Sequence, residues 1–428
     1  EPTSATERMD DWCGVGTLSI AWACAFSTLT VTIATIALAG EPFSPGAAAD
    51  SIPLACVVYF TGLANAAIPA EVRRLGRQRA YMLGAAMGIM GATMCTLAIL
   101  AESFAMLCVG GCLFGVSLAH AQNYRFGAIL LVKSNPLKAM SWVTAGGVLG
   151  AAVGPGGLAR ARHLLPQEFT GIYVLCAGMH AAAMLLLCRV KFPSASTGTA
   201  GVSSGAHDSE PRRSALIFSQ PRCWVATFAT LAAYAIMMLI LGPTPLVMRT
   251  SFGHSYDEAT YVMMCHMVLM FAPSPVTGNC IKCFGPAPIM LVGCAAIFLA
   301  AAVLLVGNSL LCFFAGLGFL GIGWNCLFLA GTSQLAKTYR PAEGPRVQAW
   351  NDGIVFLGSG TSTLLSDLAV DSLGWEQIQV VVMGLAALTA LVAVFPPALE
   401  HQAERDRRVA TGLGTSKKSP SLKGSTSN

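Results

Sequence analysis

Few side chains in this sequence could do chemistry, and most of those lie inside long apolar runs. Arg125 follows Asn123 and Tyr124 within such a run. A guanidinium near the centre of a membrane helix costs at least about 2.5 kcal/mol, so it usually faces a polar interior. There it could bind an anion or the polar edge of a ring, or form half of a gate. The alternative is that it snorkels to the headgroups beyond Lys133, about 12 Å along the helix.

A second charge, Asp352, lies beside Asn351 in another apolar run. Asp352 lies about as far from Pro345, at the predicted start of its span, as Arg125 lies from the basic turn that follows Arg125. One hypothesis is that Asp352 and Arg125 pair when the inner side of the protein is closed. Asp352 could instead bind a proton, because desolvation favours the neutral carboxyl. It could also simply bond to nearby backbone or to Asn351.

Three further residues are candidates at the centres of apolar runs. His266 could carry a proton near neutral pH, or could only link two helices by a hydrogen bond. Trp324 and Asn325 could line a cavity, because tryptophan otherwise prefers the membrane interface. Simple packing is the alternative for both. His120 and His180 are weaker candidates, since no other polar residues cluster with them in the sequence.

The composition predicts a membrane protein. Of 428 residues, 54% are hydrophobic and 11% are charged, with a mean hydropathy of +0.63, whereas soluble chains are about 25% charged. A span needs about 20 apolar residues, and helices satisfy their own backbone groups in lipid. Twelve spans are predicted, at about 13–39, 51–70, 80–100, 103–132, 139–159, 168–189, 222–247, 256–281, 286–306, 308–336, 345–366 and 373–395.

The placement of Lys and Arg predicts the orientation. Arg160, Arg162 and Arg249 lie in predicted outer loops and Arg125 lies in a span, while every other Lys and Arg lies in segments on the opposite side. Basic residues favour the cytoplasmic side. Both ends of the chain are therefore predicted to be cytoplasmic.

The chain also divides into two halves. Residues 321–353 repeat the pattern of 120–147, in which an apolar helix leads through a basic turn into another apolar helix, and such repeats indicate related units. A Ser-, Gly- and Thr-rich segment separates the halves. We expect an N-terminal tail at 1–12, a six-helix bundle at 13–190, a flexible linker at 191–221, a second bundle at 222–395 and a disordered tail at 396–428.

This layout resembles the major facilitator superfamily. The loop Arg73-Arg74-Leu75-Gly76-Arg77 keeps part of that family's signature between the second and third spans, although Arg73 occupies the acidic position and Glu71 is the nearby carboxylate. The matching loop of the second half has Lys282 where an acid is usual. The resemblance implies an all-α fold of two pseudo-symmetric bundles with a substrate site between them.

Several short strings resemble a bacterial-type branch of the superfamily that includes proposed riboflavin carriers. They are Tyr124-Arg125-Phe126, Gly253-His254-Ser255, Met270-Phe271-Ala272-Pro273-Ser274, Thr277-Gly278, Gly323-Trp324-Asn325, Arg346-Val347-Gln348 and Asn351-Asp352. Glycines at 146, 147, 150, 154, 156 and 157 in the fifth span predict close helix contact.

We therefore expect a secondary transporter for a small organic solute, with an aromatic heterocycle and a coupling proton as hypotheses. A non-transporting membrane sensor is the alternative, and a membrane enzyme is least favoured because no nucleophile elbow or zinc helix occurs. Cys280 and Cys283 alone do not predict a metal site. No cofactor or nucleic acid is expected, and we predict a monomer in a plasma or bacterial inner membrane. The predicted binding or gating residues are Asn123, Tyr124, Arg125, His266, Trp324, Asn325, Asn351 and Asp352.

Overall fold

The computed structural model describes residues 10–46, 49–132, 134–192, 212, 214–340 and 343–410. These residues form sixteen α-helices and two short 3-10 helices, Glu41–Phe43 and Leu158–His163. The α-helices are α1 (Trp12–Gly40), α2 (Ile52–Leu75), α3 (Arg77–Leu100), α4 (Phe104–Gln122), α5 (Tyr124–Leu131), α6 (Pro136–Gly156), α7 (Thr170–Leu187), α8 (Ser214–Phe218), α9 (Pro221–Leu241), α10 (Thr244–Thr250), α11 (Tyr256–Phe271), α12 (Ser274–Phe284), α13 (Pro286–Val306), α14 (Leu310–Ala336), α15 (Gly344–Leu373) and α16 (Trp375–Ala410).

Twelve segments of the described chain are long and apolar enough to cross a membrane, which confirms the predicted number of spans. Three of them are divided between two α-helices. The breaks between α9 and α10 and between α11 and α12 fall at Pro243 and Pro273, where the missing N–H ends the helical ladder. The break between α4 and α5 falls at Asn123, without a proline.

The spans form two bundles with the same packing pattern. In the N-terminal bundle, the first span packs on the fifth, the second on the fourth, and the third on the fourth and sixth. In the C-terminal bundle, the seventh packs on the eleventh, the eighth on the tenth, and the ninth on the tenth and twelfth. The repeat extends to the turns, because Gly76 and Gly285 have φ of +80° and +85° at equivalent places, a conformation that glycine adopts without strain.

Close contact in the N-terminal bundle depends on glycines of α6. A Cβ atom on Gly146, Gly150 or Gly154 would lie within 3.0 Å of carbonyl oxygens on α1. The three glycines are spaced by four residues, so they share one face of α6. The glycine-rich run therefore lets α1 and α6 pack backbone to backbone, and close helix contact is what the glycines of the fifth span predicted.

The two bundles touch on one side of the protein. We call the side that bears the segment between α7 and α9 the linker side, and the opposite side the far side. Tyr59 and Thr361 share a hydrogen bond of 2.8 Å between the bundles, and Arg160 donates to the Tyr261 hydroxyl at 3.2 Å. Within the described chain, the hydrogen bonds and ring contacts between bundles lie from the middle of the spans to the far side, so the cleft opens toward the linker side.

Three predicted segment boundaries differ from the structure, and some predicted segments lie outside the described residues. The eleventh span does not end at 366, because α15 continues to Leu373 and so includes Asp367. Part of the predicted linker is ordered, since Arg212 bonds to Glu343 and α8 packs on the C-terminal bundle. The helix α16 runs to Ala410, past the predicted end of the bundle at 395. Residues 1–9, 193–211, 213 and 411–428 lie outside the described residues.

Candidate functional site

Arg125 lies in the first turn of the short helix α5, after the break in the fourth span. The break exposes the Asn123 carbonyl, which accepts a hydrogen bond of 2.6 Å from the Tyr81 hydroxyl. Arg77, the first residue of α3, donates to the same hydroxyl at 3.1 Å. The guanidinium of Arg125 lies 4.9 Å from the ring centroid of Phe126, and its Nε has no hydrogen-bond partner although it is buried. The backbone just before Arg125 is thus fixed by a hydrogen bond, while the Nε–H of the Arg125 side chain has no acceptor.

Asp352 lies on α15 of the opposite bundle. Asn351 donates to its carboxylate at 3.3 Å and accepts a hydrogen bond of 3.3 Å from Thr230 on α9. The charges of Arg125 and Asp352 interact, and both act on the Tyr234 side chain. Within the described residues no atoms of the two charged groups form an ion pair at 4.0 Å or less. They are therefore neighbours across the cleft rather than a closed pair.

Tyr234 joins these charges to a cluster of aromatic rings. Its ring centroid lies 5.2 Å from that of Trp324, 5.7 Å from Phe328 and 5.5 Å from Phe356. Trp324 also stacks on Phe328 at 4.7 Å, with an interplanar angle of 16°. The rings come from α9, α14 and α15, so the cluster lines the C-terminal bundle next to Asp352.

The aromatic contacts continue into the N-terminal bundle. Phe271 lies 5.8 Å from Trp324, and Phe26 on α1 lies 5.1 Å from Phe271 in an edge-to-face arrangement. Trp22 lies 5.1 Å from Phe26. We call these seven rings the central aromatic cluster: Trp22, Phe26, Tyr234, Phe271, Trp324, Phe328 and Phe356.

Two indole N–H groups in this cluster have no acceptor. Nε1 of Trp22 and Nε1 of Trp324 are buried without a hydrogen-bond partner, as is Nε of Arg125. Buried donors are normally satisfied, so each one left unpaired calls for an explanation. Two unpaired indole donors in one aromatic cluster, with the Arg125 guanidinium within electrostatic range of Tyr234, suit a flat ligand that has acceptor atoms on its edges.

Asn325 and His266 do not line the cleft between the two bundles. Asn325 donates to the Met270 carbonyl at 2.7 Å and to Ser274 at 2.8 Å, and it accepts from Thr277 at 2.6 Å. These bonds tie α14 to both sides of the break in the eighth span. His266 is fully buried between α11 and α14, and its Nδ1 donates to the Leu317 carbonyl at 2.9 Å. Both side chains therefore serve helix packing inside the C-terminal bundle.

Tyr124 and Asn123 lie inside the N-terminal bundle. The Tyr124 ring is 4.9 Å from the Tyr81 ring and is 1% exposed. The Asn123 amide donates to the Ala119 carbonyl at 2.8 Å and approaches Asn65 at 3.4 Å. They shape the break that carries Arg125 and do not line the aromatic surface.

The expectation that His120 has no polar neighbours is wrong. Its Nε2 lies 2.7 Å from the Glu71 carboxylate, and its Nδ1 donates to the Val116 carbonyl at 2.8 Å. Glu71 and His120 are far apart in the sequence, so only the packing of α2 on α4 brings them together. Tyr234, Phe328 and Phe356 were also missed, because an aromatic residue in an apolar span gives no signal of its own.

No group of three or more His, Cys, Asp or Glu side chains suited to a metal occurs among the described residues. Cys280 is half-buried and Cys283 is exposed, and both are free thiols. The site thus offers aromatic faces, unpaired donors and two opposite charges.

Comparison with known proteins agrees with this architecture. A family model described as Major Facilitator Superfamily matches residues 14–319 and 223–423. Riboflavin transporter RfnT of Brucella anthropi is 31% identical over 375 residues, covering 87% of this chain and 92% of that protein. An uncharacterized MFS-type transporter of Bacillus subtilis, YddS, is 25% identical over 331 residues, covering 74% and 76%. The crystal structure of a D-xylose-proton symporter aligns with a TM-score of 0.66 at 12% identity, covering 90% of this chain and 96% of that one.

Proposed function

The chain belongs to the Major Facilitator Superfamily, as a multi-pass membrane protein and secondary transporter, and we propose that its substrate is a planar aromatic heterocycle of the flavin type. Riboflavin is the first candidate, because the relative at 31% identity is named a riboflavin transporter. The observation that carries the proposal is the central aromatic cluster, which spans both bundles beside Arg125 and Asp352.

The cluster suits such a ring by its chemistry. Offset or edge-to-face aromatic contacts contribute about 0.5–1.5 kcal/mol each beyond the buried area. An isoalloxazine ring also carries carbonyl oxygens and ring nitrogens that accept hydrogen bonds. The unpaired N–H groups of Trp22, Trp324 and Arg125 could donate to them. A mostly apolar site with a few polar groups that fix orientation is typical of small-molecule sites.

Alternating access follows from where the bundles touch. With the far side closed, substrate exchanges with the linker side. When the bundles rock about the central site, the linker side closes and brings α5 toward α15. Arg125 and Asp352 would then approach each other and pair. In that state, substrate would be released to the far side or bound from it.

Proton coupling is proposed at Asp352 rather than at His266. Asp352 lies at the cleft beside Asn351 and interacts with Arg125 of the other bundle. A proton on Asp352 would weaken that attraction, which links protonation to the position of the bundles. His266 is enclosed within one bundle and has no such contact.

We further propose that the linker side faces the cytoplasm of a plasma or bacterial inner membrane, from the placement of Lys and Arg. We also propose that a single chain suffices for transport, because the site is built from both halves of one chain.

Two measurements test the function. Purified protein in nanodiscs should quench riboflavin fluorescence saturably, because the flavin ring stacks on indole. Protein in liposomes loaded with riboflavin should then accumulate labelled riboflavin by counterflow. Quenching without counterflow would identify a receptor instead of a transporter. If neither riboflavin nor any other flavin or pteridine gives saturable quenching, the proposed substrate class is wrong.

A further inference from the structure

A histidine and a carboxyl group meet toward the linker side of the N-terminal bundle. His120 lies in the last turn of α4, and Glu71 lies about one turn before the end of α2. Nε2 of His120 is 2.7 Å from Oε2 of Glu71. Gln78, near the start of α3, bonds to the carbonyls of Leu187 and Cys188 at the end of α7, so this end of the bundle borders the segment between α7 and α9. The pair lies outside the central aromatic cluster.

Both ring nitrogens of His120 face hydrogen-bond acceptors. Nδ1 is 2.8 Å from the carbonyl oxygen of Val116, and Nε2 faces the Glu71 carboxylate. A carbonyl oxygen and an ionised carboxylate can only accept hydrogen bonds, whereas a neutral imidazole has a hydrogen on only one of its nitrogens. With an ionised Glu71, either neutral tautomer of His120 would therefore set a nitrogen lone pair against an oxygen lone pair. One further proton removes this conflict.

The other two buried histidines of the described chain show the contrast. Nε2 of His180 is 2.8 Å from the Thr28 hydroxyl, which donates its own hydrogen to a backbone carbonyl and so accepts from the ring. Nδ1 of His266 donates to a backbone carbonyl at 2.9 Å. The second ring nitrogen of each has no hydrogen-bond partner. A neutral imidazole therefore satisfies the contacts of His180 and His266, but not those of His120.

The ring of His120 is enclosed by the packing of three helices. Its side chain is 1% exposed, whereas that of Glu71 is 30% exposed. A Cβ atom on Gly84 of α3 would lie within 3.0 Å of the His120 side chain, so α3 approaches it closely. A buried polar group left without its partner costs free energy. The contact with Glu71 is therefore one that His120 cannot replace with a bond to water.

No other charge pairs with Glu71. The helix α4 packs on α1, α2, α3 and α5, and α2 also packs on α15; α1 has no charged residue. The charged groups and tyrosines on the linker side of the other helices are Arg73, Arg74, Arg77, Arg79, Tyr81, Tyr124, Arg125, Arg346 and Asp352. Arg77 bonds to the Tyr81 hydroxyl, and Arg73, Arg74 and Arg79 are exposed. Within the described residues, the ion pair of Glu71 at 4.0 Å or less is with His120 alone.

His120 also supports the break that precedes Arg125. Its backbone carbonyl accepts a hydrogen bond of 3.1 Å from the Asn123 N–H, and Asn123 is the residue at the break. Arg125 lies in the first turn of α5, directly after it. The contact between His120 and Glu71 thus fastens the end of α4 to α2 just before the chain reaches Arg125.

We propose that Glu71 and His120 together hold one proton more than an ionised glutamate and a neutral histidine, and that this proton fixes the end of α4 against α2. The proton comes from linker-side water and enters through the partly exposed Glu71. It either completes an imidazolium that donates from Nε2 to the carboxylate, or it lies on the carboxyl group, which donates its O–H to Nε2. When the proton leaves, it returns to that water and the contact loses its hydrogen bond.

This site is separate from the proton proposed at Asp352. Asp352 belongs to the other bundle and interacts with Arg125, whereas Glu71 and His120 share one bundle. The proton at His120 therefore responds to the pH of the linker side whichever solute the protein carries. Acid on that side fixes the break in the fourth span, and alkali loosens it.

The proton can be observed directly by spectroscopy on protein in lipid, with no substrate added. Solid-state NMR of nitrogen-15-labelled histidine distinguishes an imidazolium, with hydrogen on both nitrogens, from a neutral ring. Infrared absorption detects a protonated carboxyl group. At about pH 6, within the range where histidine ordinarily changes charge, wild type should show one imidazolium or one protonated carboxyl that Glu71→Gln lacks. His120→Gln isolates the same signal and serves if Glu71→Gln does not fold.

Amide hydrogen exchange on both sides of Asn123 tests what the proton does. Glu71→Gln keeps the contact without an extra proton, because its amide can donate to Nε2, so its protection should not depend on pH once intrinsic rates are corrected. Glu71→Leu leaves Nε2 without a partner and should exchange roughly tenfold faster or more. Wild type should resemble Glu71→Gln in acid and approach Glu71→Leu as the pH rises. Glu102→Gln, an exposed carboxylate on the far side, should behave as wild type.

Three results would overturn the proposal. The first is a wild-type protein that shows neither the additional imidazolium nor the additional protonated carboxyl. The second is wild-type protection around Asn123 that does not change with pH. The third is an effect of Glu102→Gln as large as that of Glu71→Leu. None of these measurements uses a solute, so they do not depend on whether riboflavin is the substrate.

Discussion

Arg125 on α5 and Asp352 on α15 interact electrostatically across the boundary between the two bundles. They approach from opposite halves of the chain at similar depth, yet no ion pair of 4.0 Å or less joins them in this linker-side-open arrangement of the described residues. Tyr234 lies within reach of both charges. The central site is thus poised between two charges whose separation would change as the bundles move.

Exchanging these two charges tests whether they pair during transport. Arg125→Asp and Asp352→Arg should each lower transport at least about tenfold, since an unpaired buried charge costs about 2 kcal/mol or more. The double variant should recover part of the loss in riboflavin counterflow. A double variant that transports no better than either single variant would refute the pairing.

Removing the indole of Trp324 tests the stacking surface. Trp324→Ala should weaken riboflavin binding about 5- to 150-fold, because it removes two ring contacts of about 0.5–1.5 kcal/mol each. Fluorescence quenching gives the Kd directly. Trp142→Ala is the matched control, because Trp142 is 57% exposed and lies outside the central aromatic cluster. Equal losses in both variants would argue against stacking at Trp324.

Removing the Tyr81 hydroxyl tests how Arg125 is positioned. Tyr81→Phe leaves the Asn123 carbonyl at the break without its donor and should lower the free energy of unfolding by about 1–3 kcal/mol. Riboflavin affinity should fall as well, because Arg125 lies in the first turn of α5, directly after the break. Thr93→Val removes a hydroxyl from the same helix and should change neither Tm nor Kd. A Tyr81→Phe protein with wild-type affinity would mean that Arg125 needs no such support.

The Arg212–Glu343 pair predicts a pH dependence of stability. Hydrogen bonds from Arg212 lower the pKa of Glu343 to about 2, whereas an unfolded glutamate has a pKa of about 4.3. A depressed pKa contributes stability above the unfolded value, and that contribution is lost as the pH falls from about 4.3 toward about 2. The Tm advantage of wild type over Glu343→Gln should therefore be constant near neutral pH and shrink below about pH 4.

Glu102→Gln provides the comparison for that experiment. It changes an exposed carboxylate on the far side, so its Tm difference from wild type should stay small throughout. If the Tm advantage over Glu343→Gln persists undiminished at pH 3, Arg212 does not stabilise the ionised form.

A methyl group at Gly146 tests the packing of α1 on α6. Gly146→Ala places a Cβ against the Ser19 carbonyl and should cost about 1–3 kcal/mol of stability by overpacking. Gly178→Ala is the control, because a Cβ there meets nothing within 4 Å. Thermal unfolding in detergent should separate the two by several degrees. Equal Tm values would mean that the helices can move apart at little cost.

The sequence predicted the architecture well because lipid imposes strong rules on it. Length and apolarity fixed the number of spans, and the repeated basic turns marked the two halves. Glycine spacing predicted close helix contact at the fifth span, although it did not identify α1 as the partner. The end of the eleventh span was placed too early, since Ser366 and Asp367 resemble the start of a loop when their burial is unknown.

The site was predicted in part, and the reason is physical. A charge in an apolar helix is conspicuous, so Arg125 and Asp352 stood out. Asn325 and His266 were equally conspicuous, but their hydrogen bonds go to neighbouring helices, which no sequence pattern reveals. Tyr234 and Phe328 gave no signal, because an aromatic ring is unremarkable in a span until its neighbours are known. The hydrogen bond from the Ser51 N–H to Asp367 joins the two bundles and could not be predicted from either one.

A cryo-electron microscopy map of the protein with saturating riboflavin would show where the flavin ring binds. We predict the flavin ring against Trp324 and Tyr234, with an acceptor edge toward the Arg125 guanidinium. A ring bound away from the central aromatic cluster, or an unaltered cluster at saturation, would contradict it.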